Sequence, residues 1–204
     1  MAAELGDFLD QAVPAGPILL INNSGLGAFG EFPVEGLGRE LEMVDVNVRA
    51  VVQLTGLLLP RLKARGGAII TVCSVMSFQP TPYSATYGAS KAFALHWSLA
   101  LNEELRGSGV RTLAVCPGTT RTEFFRQAGL GDGAIWASLS MSSDEVAAMA
   151  LRALGAGRAQ IVTGWKNKVY TFLGSKLPKP FAARMSGAVL KRFRLAGEKQ
   201  AGAS

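Results

Sequence analysis

Cysteine and histidine are nearly absent from this 204-residue chain, which has two Cys and one His. Cys73 and Cys116 stand far apart in no C-x-x-C pattern, each closing a β-branched run, and so read as plain buried thiols. His96 has no acidic or Cys partner at ligand spacing, which argues against metal chemistry and leaves a packed or surface histidine. Charge is sparse too, at 18% of residues against 49% hydrophobic. That is too little for a disordered chain and enough apolar surface for one α/β domain with a sizeable core. No apolar run reaches the roughly 18 residues a membrane span needs. The opening MAAELGDFLDQAVPAG is acidic where a signal peptide is basic, so the expected location is cytoplasmic.

What is present alternates. Short β-rich runs at Ile18–Asn22, Ala68–Ser74, Arg111–Cys116 and Gln160–Thr163 are separated by helical patterns over about 37–65, 83–106 and 142–154. Those connections are too long for hairpins and suit crossover helices. Strands buried on both faces read as continuous apolar runs, as PILLI and AIITVC do. The pattern predicts an open, Rossmann-like doubly wound parallel sheet with helices on both faces.

Gly25, Gly27 and Gly30 match G-x-G-x-x-G spacing directly after the first strand. The match fails as a dinucleotide fingerprint. Pro33 delays the helix that should begin at the last glycine, and Asp45 lies inside a helical pattern where a second strand should end. The glycines read instead as a strand exit where backbone approaches something closely.

Tyr87 and Lys91, in YGASK, stand at i and i+4 of a helical segment and leave it on one face. Alone, such a pair is weak evidence. Ser74 ends the second strand, Pro117-Gly118 follow the third and Asn22-Asn23 end the first, so all meet at the carboxyl rim where α/β sheets bind ligands.

On these residues the sequence resembles the short-chain dehydrogenase/reductase family. Asn22-Asn23-Ser24-Gly25 is similar to its N-N-A-G motif with Ser for Ala, and Asn47 in DVNV to its helix asparagine. Ser74, Tyr87 and Lys91 match its catalytic set, and Pro117, Gly118 and Thr122 its P-G-x-x-x-T run. The similarity spans about Pro17 to Thr163. It implies an NAD(P)-dependent oxidoreductase acting on a ketone or secondary alcohol, with NADP slightly ahead of NAD, and a homodimer. Asn22, Asn23, Ser24, Gly25, Tyr87, Lys91, Pro117, Gly118 and Thr122 would bind the cofactor, and Asn47 would position Lys91 through a water. The family's glycine-rich turn, T-G-x-x-x-G-x-G, and its NAD/NADP-selecting residue belong to two earlier βα units. Met1 aligns with the helix before the family's fourth strand, so the expected sheet keeps the second half of the usual order, N-terminally truncated. The alternative is a catalytically silent relative acting as a subunit or membrane-surface interaction protein.

The chemistry follows from the side chains. A nearby ammonium favours a phenolate, so Lys91 is expected to pull Tyr87 below its usual value near 10 and make it the proton carrier. The Ser74 hydroxyl can donate to a substrate oxygen as charge develops. Each alone is open to a structural reading: a wet tyrosine, a solvated lysine, a serine at a strand exit.

Two loops suggest an apolar substrate, lipid-, acyl- or steroid-like. The connection after Gly118 carries Phe124, Phe125 and Trp136, and the stretch after Ser74 begins with Val75 and Met76. Packing of these side chains on the core is the competing reading.

The chain divides at about residue 165. Residues 1–165 form the partial catalytic domain; 166–204 hold nine Lys or Arg against one acid, with apolar residues near helical spacing and breaks at Pro178 and Pro180. Two short basic amphipathic helices are predicted, either peripheral to a membrane or covering the site's rim. No nucleic-acid partner is expected, since a basic tail without a binding module is thin support.

Overall fold

The computed structural model describes residues 16–121, Phe124, Ala128 and residues 140–201, with side chains as far as Lys191. Strand β1 (Ile18–Asn22) leads through a long loop to helix α1 (Leu37–Val44). A π-helical turn (Asp45–Arg49) joins α1 to α2 (Ala50–Arg65), and β2 (Gly67–Val72) follows. A 3-10 turn (Val75–Phe78) then precedes α3 (Ala85–Glu104) and β3 (Val110–Cys116). The two-residue strands β4 (Thr120–Arg121) and β5 (Met141–Ser142) pair with each other before α4 (Ser143–Gly155) and β6 (Gln160–Val162). Helices α5 (Trp165–Lys176) and α6 (Lys179–Ala201) complete the chain.

The main sheet has the order β1-β2-β3-β6 and is parallel throughout, as the alternation predicts. Leu20 aligns with Ile69 and Ile69 with Thr112, while Val115 aligns with Ile161. Helices cover both faces. Leu58 and Leu62 of α2, with Leu101 of α3 and Leu105 beyond it, pack on Ile69 and Val110, and Ala94 and Leu95 of α3 pack on Ala114 and Cys116. From the opposite face, Ala150, Ala153 and Leu154 of α4 meet Ala68, Ile70, Leu113 and Val115. Burial on both sides is why β2 and β3 are apolar at most positions.

Helix α4 starts at a capping box: the Ser142 hydroxyl accepts from Glu145 N–H at 3.2 Å, and the Glu145 carboxylate accepts from Ser142 N–H at 2.8 Å. Strand β2 ends two residues earlier than the sequence pattern suggests, because Ser74 turns away as the cap of the 3-10 turn. The Cys73 N–H still bonds the Val115 carbonyl at 2.7 Å.

Continuous helix from Leu37 to Arg65 is long and apolar enough to cross a membrane by length and composition, a property the sequence pattern does not suggest. One side of it packs on the sheet through Leu58 and Leu62, while Leu41, Val44, Val52 and Leu54 are exposed. Strand β1 pairs only with β2 among the described strands. On the face opposite Leu20, its Leu19 and Ile21 are 43% and 51% exposed, so the described residues leave that apolar side of the edge strand uncovered.

The parallel register between β1 and β2 depends on Gly67. A Cβ there would overlap the Ile18 carbonyl and lie 2.8 Å from Leu62 Cδ2, whereas Gly56, on α2, has open space around it. Gly67→Ala is expected to lower stability by about 1–3 kcal/mol, and Gly56→Ala to raise it by about 0.5–1 kcal/mol. Urea unfolding of both variants beside the parent chain measures the pair.

Candidate active site

The carboxyl ends of β1, β2 and β3 open onto one rim, where Ser74, Tyr87, Lys91 and Asn47, singled out in the sequence, gather together with Ser90. Tyr87, Ser90 and Lys91 come from the first turns of α3, Ser74 from the exit of β2 and Asn47 from the π-helical turn. All five are buried. A π-helical turn widens the backbone spiral and is a common way to re-aim one side chain at a functional site; here it carries Asn47, which is 2% exposed.

Asn47 ties three segments together. Its Oδ1 accepts from Leu26 N–H at 2.8 Å, and its Nδ2 donates to the Leu26 carbonyl and to Ser90 Oγ, both at 2.9 Å. Ser90 Oγ in turn donates to the Tyr87 carbonyl at 2.7 Å. The loop after β1 is thus bolted to the helix bearing Tyr87. Ser90 escaped the sequence reading, although it lies inside YGASK; nothing in its spacing distinguishes it from the other small residues there.

Lys91 Nζ donates to the Val72 carbonyl at 2.8 Å and lies 6.0 Å from the centroid of the Tyr87 ring. A Cβ on Gly25 would stand 3.2 Å from Lys91 Nζ and 3.4 Å from Asn47 Oδ1; one on Gly27 would overlap the ring of Phe124. The glycines therefore serve close approach of site side chains, and no helix starts at Gly30. The Ser74 hydroxyl accepts from Met76 N–H at 3.1 Å and acts on the Tyr87 phenol in the sense that lowers its pKa. Ser77 Oγ accepts from Ser74 N–H at 3.2 Å and donates to the Lys91 carbonyl at 2.8 Å, so the β2 exit is held to α3 as well.

The other predicted residues divide. Asn23 and Ser24 are exposed at the rim, but Asn22 turns inward and donates to Thr55 Oγ1 of α2 at 3.1 Å. Pro117 accepts from Val75 N–H at 2.9 Å, and Gly118 lies against the side chain of Asn167, the first turn of α5. Met76 and Phe124 pack against Tyr87, with the Phe124 and Tyr87 ring centroids 5.3 Å apart. Thr122, Phe125 and Trp136 lie outside the described residues. Beside Tyr87 opens a cavity of about 180 Å³ whose lining includes Ala28, Phe32, Val34 and Tyr83, residues the sequence reading did not single out. Among the described residues there is no cluster of His, Cys, Asp and Glu that could hold a metal.

Comparison with known proteins decides the ancestry. A family model described as short chain dehydrogenase matches residues 10–132, more than half of the chain. The chain belongs to the short-chain dehydrogenase family. It is 38% identical over 119 residues to the ketoacyl reductase HetN of a Nostoc species, a match covering 57% of this chain and 42% of that protein. With hydroxysteroid dehydrogenase-like protein 1 of Gallus gallus it shares 30% identity over 166 residues, covering 79% of this chain and 49% of that one. A short-chain dehydrogenase from Sphingobium yanoikuyae, solved in complex with NADPH, superposes with a TM-score of 0.69 at 28% identity, covering 87% of this chain and 72% of that one. The chain spans about half the length of the curated relatives it matches.

The electrostatics of this short-chain dehydrogenase depart from expectation at Tyr87. Its phenol is pushed up from 10.0 to about 12, chiefly by burial; the Ser74 side chain acts in the opposite sense, and the nearby Cys73 adds a smaller upward push. The rings of Phe124 and Phe29, with centroids 5.3 Å and 6.2 Å from that of Tyr87, help keep water away. The expected lowering by Lys91 is absent because its ammonium is spent on the Val72 carbonyl and is itself disfavoured by burial, which lowers its pKa.

A raised tyrosine pKa makes a contribution to stability that is fully present below the unfolded value of 10.0 and lost as pH rises through about 12. At about 1.4 kcal/mol per pH unit this amounts to roughly 3 kcal/mol. Tyr87→Phe is expected to remove that part of the alkaline destabilisation, measured as unfolding free energy between pH 9 and pH 12 by about half-unit steps.

Proposed function

We propose that this short-chain dehydrogenase is an oxidoreductase that interconverts a ketone and a secondary alcohol on an apolar, lipid-, acyl- or steroid-like substrate, with NADP or NAD as the hydride carrier. The observation that carries the reading is the convergence of Ser74, Tyr87, Lys91 and Asn47 at the strand rim, joined by hydrogen bonds through Ser77 and Ser90. The ketoacyl reductase and hydroxysteroid dehydrogenase-like relatives support the substrate class, and the NADPH-bound neighbour supports the cofactor, with NADP as first choice.

The residues fit such a cofactor. The bare face of Gly25 leaves a space that a Cβ would fill, flanked by the Lys91 ammonium and the Asn47 carbonyl oxygen, which are suited to ribose hydroxyls. Asn23 and Ser24 at the same exit, and Pro117, Gly118 and Thr122 after β3, would complete its nicotinamide end. When bound, the nicotinamide supplies or accepts the hydride. Ser74 donates a hydrogen bond to the substrate oxygen, and Tyr87 gives its phenolic proton to that oxygen in reduction or takes it back in oxidation. A phenol held protonated at neutral pH suits reduction; oxidation, which needs the phenolate, should gain with rising pH. Asn47 acts through position, by fixing Leu26 and the first turn of α3. Met76, Phe124 and the cavity beside Tyr87 offer the apolar contact. Exposed apolar residues on the helices bearing Asn47 and Tyr87, among them Leu41, Val52 and Phe93, support the homodimer.

The second reading, a silent relative serving as a subunit, is favoured by the packing of Phe124 on Tyr87. A fluorescence titration with NADPH and NADH separates the two: saturable binding that Lys91→Ala weakens supports the enzyme, and a folded chain that binds neither supports the subunit. Where turnover of an apolar ketone is found, Ser74→Ala should lower kcat by about 10²–10³ and Tyr87→Phe by about 10²–10⁴. Reduction should fall, and oxidation rise, with increasing pH on the alkaline side.

A further inference from the structure

The two C-terminal helices are amphipathic, and each presents its apolar stripe to solvent. On α5 the inward face is polar or small. Asn167 lies against Gly118, the Tyr170 hydroxyl accepts from the Gln79 amide, Thr171 is 3% exposed and Gly174 lies against Gln79. The outward stripe is Trp165, Val169, Phe172 and Leu173, each between 52% and 72% exposed. On α6 the inward positions are Ala182, Ser186 and Leu190, with the Ser186 hydroxyl donating to the Pro80 carbonyl at 2.6 Å. Its outward positions, Phe181, Met185 and Val189, are 50%, 50% and 51% exposed. Exposed apolar residues at i, i+4 and i+8 form a continuous patch, whereas scattered ones need no explanation.

Charge identifies the occupant. Lys166, Lys168 and Lys176 flank or interrupt the α5 stripe, and Arg184 and Lys191 flank that of α6; from Trp165 to Lys191 the sequence has no Asp or Glu. Lys166 Nζ lies 5.9 Å from the Trp165 ring centroid and Lys176 Nζ 5.9 Å from that of Phe172, so the cations sit beside the aromatic surface. A two-fold contact between copies through this face would set like charges against each other. A surface offering anionic headgroups above hydrocarbon satisfies both the stripe and its cations.

We propose that the outward faces of α5 and α6 dock on an anionic lipid surface, with Trp165, Phe172 and Phe181 entering the headgroup region and the flanking lysines and arginine meeting lipid phosphates. The inward face of α5 touches Gly118, so docking sets the rim of the strand ends about one helix diameter, roughly 10 Å, from the lipid. The inference is independent of the catalytic reading.

The test is cosedimentation of the full chain with vesicles of phosphatidylcholine alone and of equimolar phosphatidylcholine and phosphatidylserine, with circular dichroism confirming the fold of every variant. The parent chain should partition onto the anionic vesicles at least about tenfold more strongly than onto neutral ones, with a blue shift in tryptophan emission that Trp165→Phe reduces. Lys166→Gln, Lys168→Gln and Lys176→Gln should each weaken partition by roughly fivefold, and added salt should weaken that of the parent. Phe172→Ser should weaken it with no loss of fold, since that side chain is 62% exposed. Equal binding to both vesicle types, no binding by the folded chain, or indifference to the lysine substitutions overturns the proposal. So does sedimentation showing that Phe172→Ser splits a dimer while vesicle binding is unchanged.

Discussion

Parallel pairing of β1, β2 and β3 is the constraint on which the site depends. Because the three strands run the same way, their carboxyl ends open at one rim, and residues distant in sequence meet there without a long loop to bring them. Gly67 makes the β1 pairing possible by leaving room for the Ile18 carbonyl. Asn47 then closes the arrangement from the helix side. Its three hydrogen bonds join the β1 exit to α3, and its burial makes them matter: a buried partner left unpaired costs about 1–3 kcal/mol, more than one bond contributes in net terms.

The same enclosure sets the acid-base state of the site. Desolvation and the attraction of a cation oppose each other at a buried phenol, and desolvation wins at Tyr87 because the cation is committed to a backbone carbonyl and is buried too. Ser74 provides the counterweight, as its hydroxyl can bond the phenolate as well as a substrate oxygen. The packing of Phe124 and Met76 that makes the surroundings apolar is therefore part of the chemistry, since it adds to the burial that keeps the phenol protonated to higher pH.

The C-terminal helices follow a different logic from the sheet helices. Helices α2, α3 and α4 bury their apolar residues against the strands, whereas α5 docks through an asparagine, a threonine and a glycine and keeps its aromatic stripe outside. Small and polar side chains suit the inward side because the approach is close: a Cβ on Gly118 would overlap Asn167, and one on Gly174 would overlap Gln79. The helix break predicted near Pro178 and Pro180 falls between Lys176 and Lys179, and Pro180 sits in the first turn of α6, where no intrahelical N–H bond is lost.

The strand and helix order was legible because period and composition are local properties: continuous apolar runs of five to seven residues and long helical connections leave few alternatives to a parallel sheet. The family resemblance was legible for the same reason, as Tyr87, Lys91 and Ser74 lie in short motifs of fixed spacing. Other features needed the tertiary structure. Ser90 as the link between Asn47 and Tyr87, the inward turn of Asn22 toward Thr55 and the closeness of Phe124 to Gly27 depend on how segments 20 to 100 residues apart meet. The direction of the Tyr87 pKa was decided there too, because helical spacing places a cation near a phenol but cannot show what else that cation bonds or how much water reaches either group. Amphipathicity of the tail is written in its sequence; which stripe faces the protein was decided by the surface it met.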